Sequence, residues 1–411
     1  MIKRNFENDL QQILQNYLRK EEISELNGKL KVFGENGRDF NNKVSEIYKR
    51  QLDLDLYDFS ERIQIDRTIT YSQKSLSPED FSSLLINLGK LCISHGRLNL
   101  AHEVLTKARR FSIAATLKAE SLLALSDVYS RRAKWEESIS VLRNARIIYR
   151  NANDRTGIAR CDNLMGTIYG DQGDFNRAKR CFQSSLSRLM KNENPELVAT
   201  LENNLGIVEM MLGEKENAVD HFKRALELFD EIRELRRVAE IKYNIGLLYY
   251  EMQQFKSAII SFDESIELCL NAHFIPTLCL SYLAKANVLV TLSEFSNARE
   301  FADKALEVSH HLDDKLTIAD IYRIKGTIER NLKNYNSAEN YLLTSHRINV
   351  NLKNELNIAE SSFELAKLYA EIGKQELKEI YLRGSINYYK QINSTERVKL
   401  VEEFFGVEKV Y

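Results

Sequence analysis

The sequence predicts an all-α solenoid of stacked helical hairpins, and three observations carry that expectation. Turn residues are scarce, with 3 Pro and 16 Gly in 411 residues, too few for folds that need one at every strand end. Small residues recur at a fixed interval: Ser126, Gly166, Gly206, Gly246, Ala286, Gly326 and Ala366 are each 40 positions apart. Large apolar residues between them are spaced by three and four, as in Leu201, Leu205, Val208 and then Phe222, Leu226, Phe229. That is the period of helices buried along one face.

The repeat fixes more than one column. An earlier slot is Gly89, 37 residues before Ser126. Twelve residues beyond each slot stand Ala101, Ser138, Ala178, Ala218, Ala258, Ala298, Ala338 and, as an exception, Lys378. Nineteen beyond stand Ala108, Ala145, Ser185, Ala225, Ser265, Ala305, Ser345 and Ser385. Sixteen beyond, large residues return: Leu105, Leu142, Phe182, Phe222, Phe262, then Ala302, Leu342 and Leu382. Small columns let two helix axes approach, and the aromatics fill the remaining gaps. Each unit is therefore two helices divided by a short polar turn such as Leu212-Gly213-Glu214-Lys215.

Residues 1–77 lack these columns. Their pattern allows helices over about 5–27, 39–58 and 60–74, with Gly28, Gly34 and Gly37 in the first loop. Their 13 basic and 13 acidic residues balance. The expectation is an N-terminal cap or degenerate repeat covering the array's first hydrophobic edge, and the alternative is a separate effector-binding bundle. Residues 78–392 hold about eight copies. Pro78, Pro195 and Pro276 lie ten or eleven residues before a slot, where a first helix starts and the missing N–H does no harm. Ser77 and Asn194 precede two of them as N-caps. In residues 393–411, Asn393-Ser394-Thr395-Glu396 precede a final helix bearing Val398, Val401, Phe404 and Phe405. It is expected to cap the last repeat.

The order small–Tyr–Ala–Phe–small is explicit in Gly246, Tyr249, Ala258, Phe262, Ser265 and in Gly166, Tyr169, Ala178, Phe182, Ser185. It resembles the tetratricopeptide repeat family, in a 40-residue form rather than the usual length of about 34. Copies with Asn204-Leu205-Gly206 look like those of cell-polarity adaptors and bacterial peptide-sensing regulators. The resemblance implies a right-handed superhelix whose inner, concave face is lined by first helices and binds ligands. Glu209 and Glu329 depart from the family's tyrosine, and Lys378 from its alanine.

Composition excludes several function classes. With 58 Lys+Arg against 59 Asp+Glu the net charge is −1, without the basic excess of a nucleic-acid-binding body. No apolar run approaches the ~18 residues of a membrane span, and no secretory signal follows Met1. Five scattered cysteines, Cys92, Cys161, Cys181, Cys269 and Cys279, form no Cys-x-x-Cys and read as packing residues of a reducing, cytoplasmic compartment. No phosphate loop, dinucleotide fingerprint, zinc-protease helix or nucleophile elbow is present. His310 and His311 would point about 100° apart on a helix and cannot easily share one ion. No catalytic residue, metal or cofactor is expected.

Partner binding is expected on the first helices, six and three residues before each slot and one and four after it. The residues expected to line this groove are Arg160, Asn163, Asn203, Ile207, Met210, Tyr243, Leu247, Tyr250, Leu283, Asn287, Val290, Arg323 and Arg330. Apolar side chains at the middle of such a face call for a covering partner, and flanking arginines suit the carbonyls or carboxylates of an extended peptide. The expected function is an adaptor or scaffold that binds protein or peptide, with self-association open. The alternative is a ligand-responsive regulator acting through residues 1–77.

Overall fold

A computed structural model describes residues 6–26, 56–189, 193–272, 274–309, 315–391 and 395–406. Gly28, Gly34, Gly37, most of the helix expected over 39–58, His273, His310, His311, Asn393 and Ser394 lie outside them. The described residues are helices and turns throughout. They form two units, Met1–Leu212 and Gly213–Tyr411.

In the first unit, α1 (Phe6–Leu14) and α2 (Leu56–Ser75) precede the hairpin of α3 (Pro78–Ser94) and α4 (Leu98–Phe111). Two further hairpins follow, α5 (Ala115–Arg131) with α6 (Trp135–Asn151) and α7 (Arg155–Asp171) with α8 (Phe175–Arg188), and then α9 (Pro195–Met211). Phe6, Leu10, Leu14, Leu18, Ile65 and Ile69 share one core with Phe81, Leu84, Leu85 and Leu88 of α3. The described N-terminal residues thus close the first repeat's apolar edge. The helix expected over 5–27 is interrupted: residues 15–18 turn, and a second helical stretch runs over 20–26. The N–H of Arg19 donates to Glu22 Oε2 at 2.8 Å, a local cap that starts the new stretch. The turn lets both Leu14 and Leu18 reach the core, with Ile23 and Leu26.

The second unit begins with α10 (Lys215–Glu231) and continues with α11 (Leu235–Glu251) and α12 (Phe255–Asn271), α13 (Ile275–Thr291) and α14 (Phe295–Ser309). Next come α15 (Lys315–Asn331) with α16 (Tyr335–Leu352), and α17 (Glu355–Glu371) with α18 (Gln375–Gln391). The last is α19 (Thr395–Phe405). Val398 and Val401 are buried against Ala359, Ala366, Leu382 and Tyr389. Thr395 begins 11 residues before Gly406, which lies 40 beyond Ala366. The final helix therefore keeps the array's phase and stands where a ninth first helix would.

Every first helix starts 11 residues before its slot, at Pro78, Ala115, Arg155, Pro195, Leu235, Ile275, Lys315 and Glu355. Side chains of Ser77, Asp154, Asn194 and Asn354 accept an N–H of the first turn, from Asp80, Gly157, Leu197 and Asn357, filling donors that have no partner inside the helix.

The slot is small because the residue sixteen places on lies against it. A Cβ on Gly166 or Gly246 would stand 2.5 Å from Cε1 of Phe182 or Phe262. A Cβ on Gly89 would lie 2.4 Å from Leu105, and one on Gly326 2.5 Å from Leu342. Phe262 is fully buried, worth roughly 2 kcal/mol of transfer free energy. The later serine column is polar for a separate reason. Ser185 Oγ and Ser265 Oγ donate to the carbonyls of Ala159 and Ala239 at 2.7 and 2.8 Å, so the burial leaves neither hydroxyl unpaired.

Each hairpin turns through one left-handed residue, seven places past the slot. These residues are Gly96, Ala133, Gly173, Gly213, Gln253, Ser293, Lys333 and Gly373, with φ between 55° and 79°. In Asp174, Gln254, Glu294 and Asn334 the next N–H returns to the carbonyl five residues back, at 2.8 to 2.9 Å. This closure satisfies the end of the first helix.

Candidate functional site

The expected partner-binding residues are half-buried along their first helices, with Arg330 buried, and the two units present different chemistry. In the first unit, Arg160 Nη1 lies 3.9 Å from Glu120 Oε1, itself 2.6 Å from Lys90 Nζ. Asn204 Nδ2 donates to Asn163 Oδ1 at 3.1 Å, tying α9 to α7. Asn203, Ile207 and Met210 are half-buried along α9.

In the second unit, α11 and α13 carry the apolar part. Tyr243, Leu247 and Tyr250 are half-buried against a core of Ala258, Phe262 and Val288. The ring of Tyr243 lies 5.9 Å from Phe262, and that of Tyr250 5.9 Å from Phe255. Tyr250 Oη reaches Thr291 Oγ1 on the next first helix at 3.2 Å. Thr291 Oγ1 in turn lies 3.1 Å from the Asn287 carbonyl as its donor. Leu283 and Val290 pack beside Ala286, Leu289, Ile324 and Ile328. Burial pushes the Tyr243 phenol up to about 12, with Asp320 adding to the shift. The tyrosines are thus held in place by their own hairpins and keep part of their surface open.

On α15 and α17 the same face is ionic. Arg323 Nη2 lies 3.5 Å from Asp320 Oδ1 and 3.2 Å from Glu360 Oε2. Arg330 is buried and pairs with Glu371, and its Nη2 stands 3.7 Å from Glu364 Oε2. Lys367 Nζ reaches Glu364 Oε1 at 2.5 Å. Burial opposes the charge of Glu364, yet Lys367 and Arg330 outweigh it and hold its carboxyl below the usual carboxylate range. The two arginines expected to meet a ligand carboxylate therefore already meet carboxylates of the following repeat. Extending the 3-4-3 spacing to the slot Ala366 gives Glu360, Phe363, Lys367 and Ala370. It locates Glu360, the partner of Arg323, while Glu364 and Glu371, the partners of Arg330, lie off that stripe. Phe363 is covered from within: its ring lies 5.6 and 6.1 Å from Phe404 and Phe405 of α19.

No group of three His, Cys, Asp or Glu side chains among the described residues could hold a metal ion. None of the described helices is long and apolar enough to cross a membrane. Burial pushes the thiols of Cys92 and Cys161 up to about 12, so neither supplies a thiolate nucleophile near neutral pH.

The tetratricopeptide repeat family model matches residues 117–191 and 197–271, which include the copies with Gly166, Tyr169, Ala178 and with Gly246, Tyr249, Ala258. Over these residues the chain consists of tetratricopeptide repeats. It is 29% identical over 147 residues to the transcriptional activator NprA of Geobacillus stearothermophilus, covering 36% of each chain. Over 329 residues it is 23% identical to a TPR repeat-containing protein of Methanocaldococcus jannaschii, covering 78% of this chain and 51% of that one. It thus spans about a third and about half of the length of these curated relatives. Aspartyl phosphate phosphatase F of Bacillus subtilis has a similar crystal structure, with a TM-score of 0.56 at 14% identity. That likeness covers 92% of this chain and 94% of the other and is one of fold.

Proposed function

We propose that this chain is a non-enzymatic adaptor or scaffold that binds a peptide segment of a partner protein. The binding face is the side of the first helices expected to be concave, and its apolar centre lies in the second unit. One observation carries the reading: Tyr243, Leu247, Tyr250, Leu283 and Val290 form a half-buried apolar row on two consecutive first helices, bordered by the paired charges of α15 and α17. Half-open aromatic side chains held by their neighbours lose little rotamer freedom on binding, which is why such residues anchor interfaces. Asn287 lies within the row and offers its amide to the backbone of an extended ligand. Free, buried cysteines support a cytoplasmic location.

The packing of Phe6, Leu10, Ile65 and Ile69 onto α3 supports residues 1–77 as a cap, which favours the adaptor. A regulator acting through that segment is the second reading, favoured by the relative named as a transcriptional activator. Peptides selected from a displayed random library by the intact chain test the first. Fluorescence anisotropy should show the selected peptide bound at least tenfold more weakly by Tyr243→Ala/Tyr250→Ala, with helical content retained. Equal affinity of parent and variant would overturn the assignment of the face.

A further inference from the structure

We propose that the second-helix face of the second and third repeats is another docking surface, for an acidic peptide segment whose carboxylate enters a cleft between α6, α7 and α8. The first sign is a local charge imbalance. Residues 131–188 hold 12 Lys+Arg against 6 Asp+Glu, in a chain whose net charge is −1. Helices α6 and α8 alone carry Arg143, Arg146, Arg150, Arg177, Arg180 and Arg188, and α8 has no acidic residue. Two second helices of the other unit lean the opposite way: α10 has 5 acidic residues to 3 basic, and α12 has 3 to 1.

The arginines also line a shaped space. A cleft of about 350 Å³ is bounded by Arg146, Asp162, Met165, Tyr169, Arg177 and Arg180, among others. Its floor is pre-ordered. Asp162 is buried and accepts Arg146 Nε at 2.7 Å, Arg188 Nε at 2.9 Å and Ser184 Oγ at 3.2 Å. Two guanidinium groups on one carboxylate leave that floor with a positive excess. At the rim, Arg177 lies over the Tyr169 ring, 5.3 Å from its centroid, and is braced by Asp174 at 2.8 Å. Arg180 is exposed and has no ion-pair partner among the described residues.

A glutamate or aspartate side chain fits this chemistry. Guanidinium forks match a carboxylate in two hydrogen bonds, and Met165 and Tyr169 accept the aliphatic stem beneath it. A nucleic-acid backbone fits less well, because its affinity comes from a long row of phosphate contacts. Here the arginines sit on only two helices, α6 and α8, each packed against α7, with Glu136, Glu137, Asp162 and Asp174 among them.

The test uses the intact chain and a fluorescein-labelled peptide of alternating Glu and Leu. Controls are its Gln–Leu counterpart and a labelled single-stranded oligonucleotide of equal charge. Arg177 and Arg180 are exposed, so Arg177→Glu/Arg180→Glu should keep the parent's circular dichroism and melting temperature. Fluorescence polarisation should show the Glu peptide bound and weakened at least tenfold in that variant. The binding should also weaken as salt rises and be unchanged in Tyr243→Ala/Tyr250→Ala, which separates this surface from the first-helix face. Undetectable binding of the Glu peptide, equal binding of its Gln counterpart, or an unchanged affinity in the arginine variant would overturn the proposal. An oligonucleotide that binds more tightly than the Glu peptide and displaces it would overturn it too, by making this a surface for polyanions.

Discussion

Arg299 and Glu329 stand thirty residues apart and meet at 2.8 Å, guanidinium to carboxylate, between α14 and α15. Arg299 is thirteen residues past its slot and Glu329 three past the next one. The same two positions pair again as Lys179 and Glu209 at 3.1 Å. Where the later position is tyrosine, its neighbour changes in kind: His102 Nε2 lies 3.1 Å from Tyr129 Oη, and Tyr369 Oη donates to Glu339 Oε1 at 2.9 Å. Glu209 and Glu329 depart from the family's tyrosine, and each comes with a basic residue one helix back. This is a cross-repeat register read by chemistry rather than by residue identity.

Reversing one member of the pair should be costly and reversing both much less so. Arg299→Glu leaves Glu329, which is buried, facing a like charge, and should lower stability by about 1–3 kcal/mol. Adding Glu329→Arg should recover a good part of that loss, a coupling of about 0.5–2 kcal/mol. Urea denaturation of the four proteins measures it. Additive losses would show that the two residues do not act on each other.

The turn column makes an independent prediction. Gln253, Ser293 and Lys333 hold φ of 59°, 63° and 62°, where a side chain with a Cβ is strained by about 1 kcal/mol. Gln253→Gly should therefore stabilise the protein by roughly 0.5–1 kcal/mol, although Gly normally loosens a chain. Gly173→Ala, at φ 77°, should lose a similar amount. Thermal melts of the two variants should move in opposite directions.

That column also shows where sequence reading stops. The slot was legible because steric demand admits only Gly, Ala or Ser, so identity tracks geometry. The turn seven residues later demands a backbone angle that Gly satisfies best, but Ala133, Gln253, Ser293 and Lys333 adopt it without a shared side-chain type. Helix pairing was legible for the same steric reason, from Gly246 with Phe262 as from Gly166 with Phe182. The candidate face was legible in position and less so in state. Spacing located Arg323 and Arg330 on it, but their partners Glu360, Glu364 and Glu371 come from the next repeat. Pairing across repeats depends on how neighbouring hairpins are stacked, which a single helix's periodicity does not encode.

Two glycines on α7 separate crowding from flexibility. Gly166→Ala places a methyl 2.5 Å from the Phe182 ring and should cost roughly 1–3 kcal/mol by overpacking. Gly170→Ala meets nothing within 4 Å and should instead gain up to about 1 kcal/mol, because alanine is the better helix former. The smaller Leu at Phe182 should relieve part of the first loss. If both glycine variants melt alike, the slot is not a steric contact.

Glu364 gives the pH dependence its sign. Its carboxyl is buried between Lys367 at 2.5 Å and Arg330 at 3.7 Å, and its pKa lies below the ordinary 4.5. The unfolded chain binds the proton more readily than the folded one. The ion pairs therefore contribute fully above pH 4.5, and that contribution fades as pH falls through the lower, folded value. Glu364→Gln removes the charge while keeping the shape, and leaves Arg330 and Lys367 with less compensation. It should cost roughly 3 kcal/mol at pH 7, the scale for breaking one side of a buried ion pair. The difference between variant and parent should shrink steadily below pH 4.5, because the parent loses there what the variant never had. Denaturant titrations at pH 7, 5 and 4 measure it. A gap that stays constant across that range would assign the loss to altered packing and remove the carboxylate from the ionic network of α15 and α17.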